Sequence, residues 1–330
     1  MAILATSKVL TLDYWKPAHQ LKIGDYLFDK EGKIVQIKLI QEYRADSCYS
    51  VNFNDYLSVS GDINLGFPVE TPKYRKRTYQ YMGIQKFRRP LMAFKLDKLQ
   101  DIPLKTKTNR LLYSVPTTKP IELPHQDLPV PPFIFGFWFF SRKSTGSVSA
   151  ARGHHEEIAA QFKDFGYKIK TGRTLNTGEK EFKIFPSIES QLIPNVPNKI
   201  PNNYLLGSVE QRIELLKGIL VAKNRQYSPK KDWFRFTDSH YGIVLAIQSL
   251  VESIGCKSKL VHDESMQNYT LFFKSRIKLI SNQVSPPIRV HQSRRYITSV
   301  TPIQPQSCVH IETTGVDNTI LVGEGFISCL

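Results

Sequence analysis

Two stretches, Phe133-Ile-Phe-Gly-Phe-Trp-Phe-Phe140 and Leu215-Leu-Lys-Gly-Ile-Leu-Val-Ala222, decide how this chain folds. Each is an apolar run with a single glycine inside it. Pro131 and Pro132 precede the first run, where a missing N–H and a fixed φ cost nothing at the first turn of a helix. Ser208 and Gln211 precede the second with the spacing of a capping box. A helix that is apolar on every side must be buried. A glycine halfway along it costs roughly 1 kcal/mol against alanine, so each glycine needs a packing reason. Two readings are open. Either these are unrelated core helices, or they face each other, with Gly136 and Gly218 letting the two backbones come close.

At 330 residues the chain has room for two or three domains, each with its own core. Hydrophobic residues at 41% and charged residues at 22% are ordinary for a globular protein. No apolar run approaches the length of a membrane span, and Met1–Lys8 has no signal-peptide core. The reading is therefore an intracellular protein with no membrane partner. Cys48, Cys256, Cys308 and Cys329 lie far apart without a Cys-x-x-Cys pair, which argues against a zinc site and against a disulfide scaffold. The net charge of +16 and the pI near 9.6 point to a polyanionic partner, DNA or RNA.

The first seventy residues read as short strands broken by turns at Asp13, Pro17, Gly24 and Gly32, continuing through Cys48–Phe53 and Tyr56–Ser60. A basic insertion at 71–119 follows. Lys73, Arg75, Lys76, Arg77, Lys86, Arg88 and Arg89 are interleaved there with Tyr74, Tyr79, Tyr81 and Phe87, a mixture that suits phosphates and exposed bases as well as a solvated hairpin. From Pro116 to Pro132 recurring prolines suggest an extended linker. Beyond it the pattern helix, strand, helix, strand, strand occurs roughly twice. The second helices are expected at His155–Phe165 and His240–Ile254.

Val9-Leu-Thr11, Trp15-Lys-Pro17 and Leu21-Lys-Ile-Gly-Asp-Tyr26 resemble the opening of an intein splicing (Hint) domain. Cys308-Val-His-Ile-Glu312 and Val322-Gly-Glu-Gly-Phe-Ile327 resemble its closing hairpin. Between them Gly136-Phe-Trp-Phe-Phe-Ser-Arg142, Glu210–Asn224 and Ile247–Cys256 resemble the LAGLIDADG homing endonucleases. The implied fold is α+β: an all-β Hint-like domain formed by both termini, with an inserted pseudo-symmetric αββαββα-type domain. The expected boundaries are 1–120 for the N-terminal Hint-like part including the basic insertion, 121–285 for the endonuclease-like domain, and 286–330 for the C-terminal Hint-like strands.

The chemistry that the resemblance implies does not carry over residue by residue. Splicing needs a Cys or Ser nucleophile at the first position, which falls at Ala2 or Ile3. The family histidine falls within Ser60–Asn64, where Ile63 and Asn64 stand. The terminal His-Asn pair is matched by Cys329 and Leu330. The chain also begins with Met1 and stops at the motif, so the expectation is that it does not splice. In the endonucleases an acid at the foot of each helix holds Mg²⁺, a hard cation that takes oxygen ligands. The matching positions are Ser141 and Lys223, and neither adjoining loop contains Asp or Glu. Ser141, Arg142, Lys143, Lys223 and Arg225 would then form a cluster of donors, with Lys230 and Lys231 close in sequence.

Three functions follow as expectations. The first is a protein that binds nucleic acid, DNA in preference to RNA and double-stranded, without cutting or splicing and with no cofactor. The second is a structural subunit of a larger viral or ribonucleoprotein assembly, since relatives of this kind are common in phages. The third is an active endonuclease using Mg²⁺ and acids from elsewhere. No residue is assigned a catalytic role.

Overall fold

A computed structural model of the chain describes residues 1–12, 15–70, the backbone of 92–95, 103–143, 147–150, 155–176, 178–192, 199–223, 227–230, 232–275, 277–280, 283, 294–323 and 325–330. Two compact units emerge. One comprises Met1–Glu122, Gly255–Lys259 and Arg289–Leu330, the other Leu123–Ile254 and Leu260–Ile288.

In the first unit the two ends of the sequence build one β body. Ala2–Leu4 pairs antiparallel with Ser307–Thr313, placing Ile3 opposite Val309. Lys8–Leu10 pairs with Ile320–Val322 through Val9 and Val322. The larger sheet has eight strands in the order Ser114–Pro116, Arg294–Ile303, Cys48–Phe53, Ser58–Asp62, Ala2–Leu4, Ser307–Thr313, Ile34–Arg44 and Tyr26–Phe28. Ile3, Leu27, Val51, Phe67, Ile297, Ile311 and Ile320 are fully buried within this unit. Each such side chain contributes roughly 1.5–3 kcal/mol on burial, and the contributions come from both ends of the chain. Neither terminal segment has this core alone.

Two expectations are corrected here, and one finding was not anticipated. The strand anticipated at Tyr56–Ser60 runs from Ser58 to Asp62, because Tyr56 sits at φ +68 in a turn closed by its N–H to the Phe53 carbonyl. The proline-rich stretch is extended but docked. Ser114–Pro116 is an edge strand, the Thr118 hydroxyl donates to the Phe326 carbonyl at 2.7 Å, and Ile121 is fully buried. The strand Arg294–Ile303 begins with two arginines that count toward the net charge yet lie inside the protein. Arg295 Nε meets Asp55 at 2.9 Å and Arg294 Nε meets Glu70 at 2.5 Å.

Among its described residues the second unit holds four longer helices: α1 (Pro132–Ser141), α2 (His155–Asp164), α3 (Val209–Ala222) and α4 (Tyr241–Ser253). Of the two readings left open for the apolar runs, the facing pair is the one observed. A Cβ on Gly136 would come within 2.5 Å of the Leu215 carbonyl oxygen. One on Gly218 would lie 2.1 Å from the Phe133 carbonyl oxygen. Only glycine allows this approach. The capping box at the start of α3 is formed in both directions between Ser208 and Gln211. Aromatic rings fill the space around α1: Phe135 stacks on Tyr204 at 4.0 Å and Phe137 meets Phe162 edge-on at 5.4 Å.

Each repeat carries one antiparallel sheet. The first has the order Val148–Ala150, Lys180–Phe185, Lys168–Thr174. The second has the order Tyr227–Ser228, Trp233–Asp238, Asn268–Lys274, Lys257–Asp263. The second repeat has a short extra strand, Tyr227–Ser228, which the expected order omitted. Its counterpart in the first repeat is a single bridge between Arg142 and Val148. Among the described residues no helix is long and apolar enough to cross a membrane.

Candidate functional site

The paired helices bring their C-terminal ends together. At the end of α1, Ser141 is buried and its hydroxyl donates to the Phe137 carbonyl at 2.7 Å, the ordinary back-bond of a helical serine. Arg142 caps the helix and lays its guanidinium over the Trp138 and Phe139 rings at 4.8 and 4.9 Å. Burial lowers the Arg142 pKa from its ordinary value, against the opposing charge of Glu189. Glu189 accepts hydrogen bonds from Trp138 Nε1 at 3.0 Å and from the Ser187 hydroxyl at 2.7 Å. Burial alone would raise the Glu189 pKa. Its hydrogen bonds and the Arg142 charge outweigh that and hold it below the usual carboxylate range. Lys143 is exposed, 3.6 Å from Glu179.

At the end of α3, Lys223 is the C-cap residue. Its Nζ lies 3.1 Å from Asp238 Oδ2 and over the rings of Phe140 and Phe236 at 5.2 and 5.4 Å. Phe140 belongs to α1, so Lys223 ties the two helix ends together. Asp238 also accepts from the His240 N–H at 3.0 Å. Burial pushes the Asp238 pKa up, but that N–H, the Lys223 bond and the Lys223 charge together bring it below the ordinary Asp value.

The expected cluster of outward-pointing donors is therefore corrected. Arg142, Lys143 and Lys223 are each engaged with rings or carboxylates. Acids do reach both helix ends, Glu189 and Asp238, supplied by elements distant in sequence rather than by the adjoining loops. Lys230 is exposed on the hairpin turn after Tyr227–Ser228. Lys73, Arg75, Lys76, Arg77, Lys86, Arg88, Arg89, Arg225 and Lys231 lie outside the described residues.

The two positions where the resemblance implies a metal-holding acid carry other chemistry. One family position offers a hydroxyl already committed to a helix carbonyl, and the other a lysine ammonium, which repels a cation. Among the described residues no three His, Cys, Asp or Glu side chains converge.

The positions matched to splicing chemistry lie in the β body. Ala2 is fully buried in a paired strand, and Ile63 is half-buried. Asp62, beside it, accepts from the Tyr43 hydroxyl at 2.5 Å and the Asn64 N–H at 2.8 Å. Leu330 is pinned to Gly66 by two backbone hydrogen bonds of 2.8 and 3.0 Å. The Cys329 thiol is buried, which drives its pKa well above normal despite the nearby Met1 ammonium.

A further surface escaped the sequence reading. Lys168, Lys170 and Lys183 share the outer face of the first sheet, where Lys168 pairs with Phe185 and Lys170 with Lys183. Phe185 is 49% exposed among them. On the outer face of the second sheet Arg235 lies opposite Phe272, Trp233 meets Phe272 edge-on at 5.7 Å, and Lys274 lies over Trp233 at 5.5 Å. The inner faces hold Phe182, Ile184, Phe234, Phe236 and Phe273. The signal was present in the alternation of Lys168-Ile-Lys170 and Trp233-Phe-Arg-Phe-Thr237, which is the two-residue period of a half-buried strand.

No family model matches the chain. It is similar to the replicative DNA helicase DnaB of Mycobacterium intracellulare, with 24% identity over 328 residues, covering 92% of this chain and 53% of that protein. That likeness runs across nearly the whole chain, and both ends of the chain enter one β body. The α+β arrangement expected from the motifs, a β body shared by both termini with a helix-and-sheet unit inserted in sequence, is the one observed. Among solved structures the chain is similar to the MchDnaB-1 intein, at 20% identity, covering 21% of this chain and 53% of that one with a TM-score of 0.20. It is also similar to mesophilic variants of the homing endonuclease I-DmoI, at 14% identity, covering 49% of this chain and 98% of that one with a TM-score of 0.33. The chain spans about half the length of the curated relative and of the first of these inteins.

Proposed function

We propose that this intein-derived, endonuclease-like chain binds double-stranded DNA and neither cuts nor splices. The observation that carries the reading is the contrast between the outer sheet faces of the second unit and its helix ends. Lys168, Lys170, Lys183 and Arg235 stand exposed on the sheets, interleaved with Phe185 and Phe272. Phosphates are neutralised by such cations with release of counterions, and this term is independent of base sequence. The basic stretch from Lys73 to Arg89 adds to the same attraction.

At the helix ends the chain's own residues keep the fold rather than perform chemistry. Ser141 closes the last turn of α1. Lys223 and Asp238 neutralise each other, with the ammonium held over two aromatic rings. Cleavage by a metal clamp needs carboxylates able to hold the cation, and the two acids near the helix ends are already engaged, Glu189 by Trp138 and Ser187 and Asp238 by Lys223. No divalent metal or other cofactor is part of this reading. Splicing lacks a first-position nucleophile, because Ala2 offers a methyl group.

The test is binding of a labelled DNA duplex across a salt series. Affinity should fall linearly with salt on logarithmic axes, and more steeply for the full chain than for a K168A/K170A/K183A variant. Affinity independent of salt, or no binding at low salt, would refute the proposal.

A further inference from the structure

Four cysteines far apart in sequence gave no hint of a pair, yet the β body brings two of them together. Cys48 opens the strand Cys48–Phe53, and Cys308 lies in Ser307–Thr313. Their sulfurs are 3.9 Å apart although 260 residues separate them. Both are free thiols, only 1% and 0% exposed, walled by Leu4, Tyr43, Ala45 and Ile303. A disulfide requires sulfurs about 2.05 Å apart, so each sulfur has to move by only about 1 Å. Cys256 and Cys329 are also buried and not disulfide-bonded, and the Cys329 thiol donates to the Ile327 carbonyl.

We propose that Cys48 and Cys308 form a redox pair, oxidised by low-molecular-weight disulfides, that joins the N-terminal and C-terminal parts of the β body covalently. One cysteine thiolate attacks a small disulfide such as oxidised glutathione, forming a mixed disulfide and releasing one glutathione thiolate. The second cysteine thiolate then attacks the protein sulfur of that mixed disulfide and displaces the other glutathione. Two protein thiols lose two electrons to form one S–S bond. The small disulfide gains them, and the two cysteine protons end on the two glutathione thiols.

The site also sets the rate. Burial, with Cys48 alongside, pushes the Cys308 thiol up to about 12, so little thiolate exists in the closed fold. Exchange therefore proceeds through opening of the strands, and the bond, once made, is shielded from reductant. The consequence follows from the connectivity. The two cysteines flank the whole inserted domain, so an oxidised chain stays one covalent molecule even when cut once anywhere between them.

The experiment uses the full chain, incubated in oxidised or reduced glutathione in dilute denaturant and then returned to buffer. Oxidation should lower the thiols titrated under denaturing conditions from four to two, and a non-reduced peptide map should join the Cys48 and Cys308 peptides. The apparent Tm should rise by roughly 5 °C or more, because the cross-link closes a very long loop. Dithiothreitol in the same dilute denaturant should reverse both changes. C256S/C329S should behave identically, whereas C48S should show no oxidation-dependent shift. Should C48S fail to fold, the wild-type peptide map decides alone. Four thiols remaining after oxidation, or a bond involving Cys256 or Cys329, would overturn the proposal.

Discussion

Replacing Gly218 by alanine sets helix propensity against close approach. By propensity alone, Gly→Ala inside a helix stabilises by roughly 1 kcal/mol. In this fold the new methyl would sit 2.1 Å from the Phe133 carbonyl oxygen, 2.9 Å from its carbon and 2.9 Å from the Phe137 nitrogen. All three are backbone atoms of α1 and cannot rotate away. Restoring ordinary packing at about 3.4 Å requires the helices to part by about 1.3 Å at this point, loosening the Phe135–Tyr204 stack. Overpacking a core costs typically about 1–3 kcal/mol and occasionally more. We therefore expect G218A to destabilise the second unit by about 2–4 kcal/mol despite the propensity gain. That amounts to a fall in apparent Tm of roughly 5–15 °C for a domain of this size. G136A, whose nearest approach is 2.5 Å, should cost somewhat less. G242A is the control, because nothing lies within 4 Å of its added methyl. Urea and thermal unfolding followed by tryptophan fluorescence would report the change through Trp138 and Trp233. If G218A proved as stable as G242A, the argument for face-to-face helices would fail.

Asp55→Ala removes the carboxylate facing the buried Arg295 and should destabilise the first unit by about 3–5 kcal/mol, measured by urea unfolding. Because the Asp238 pKa is held below its unfolded value, its contribution to stability is complete above about pH 4 and is lost as pH falls through the folded pKa. Lys223→Met removes one source of that depression, so acid unfolding of the variant should show a shallower loss of stability in this window; an unchanged profile would count against the pairing. In DNA binding, K168A/K170A/K183A should reduce the slope of log affinity against log salt by up to about 2.7, or about 0.9 for each phosphate no longer neutralised. Fluorescence anisotropy at several salt concentrations measures it, and an unchanged slope would remove these lysines from the interface.

What was readable in the sequence was what depends on local chemistry. The capping residues Ser208 and Gln211, the prolines before α1 and the glycine within each apolar run locate the helix pair. The motifs at both termini locate the β body. What was not readable depends on which distant residues meet. Glu189 and Asp238 reach the helix ends from a single-turn helix and from the end of a strand, whereas the loops adjoining Ser141 and Lys223 contain no Asp or Glu. Arg294 and Arg295 count toward a basic surface in the composition, yet they are buried because Glu70 and Asp55 lie opposite. Cys48 and Cys308 become neighbours only when strands at the two ends of the chain enter one sheet. The lysines on the sheet faces were legible in principle, since alternation marks them. The denser charge of Lys73–Arg89 and of the helix-end loops is the stronger signal in the sequence and masks them.

The most direct test of a DNA-binding scaffold without the cutting chemistry is incubation of the full chain with supercoiled plasmid at low salt, in Mg²⁺ and separately in Mn²⁺. The account predicts plasmid that is retarded by bound protein and fully supercoiled once the protein is removed. Nicked or linear plasmid, formed by the wild type and lost in D238N or E189Q, would contradict it.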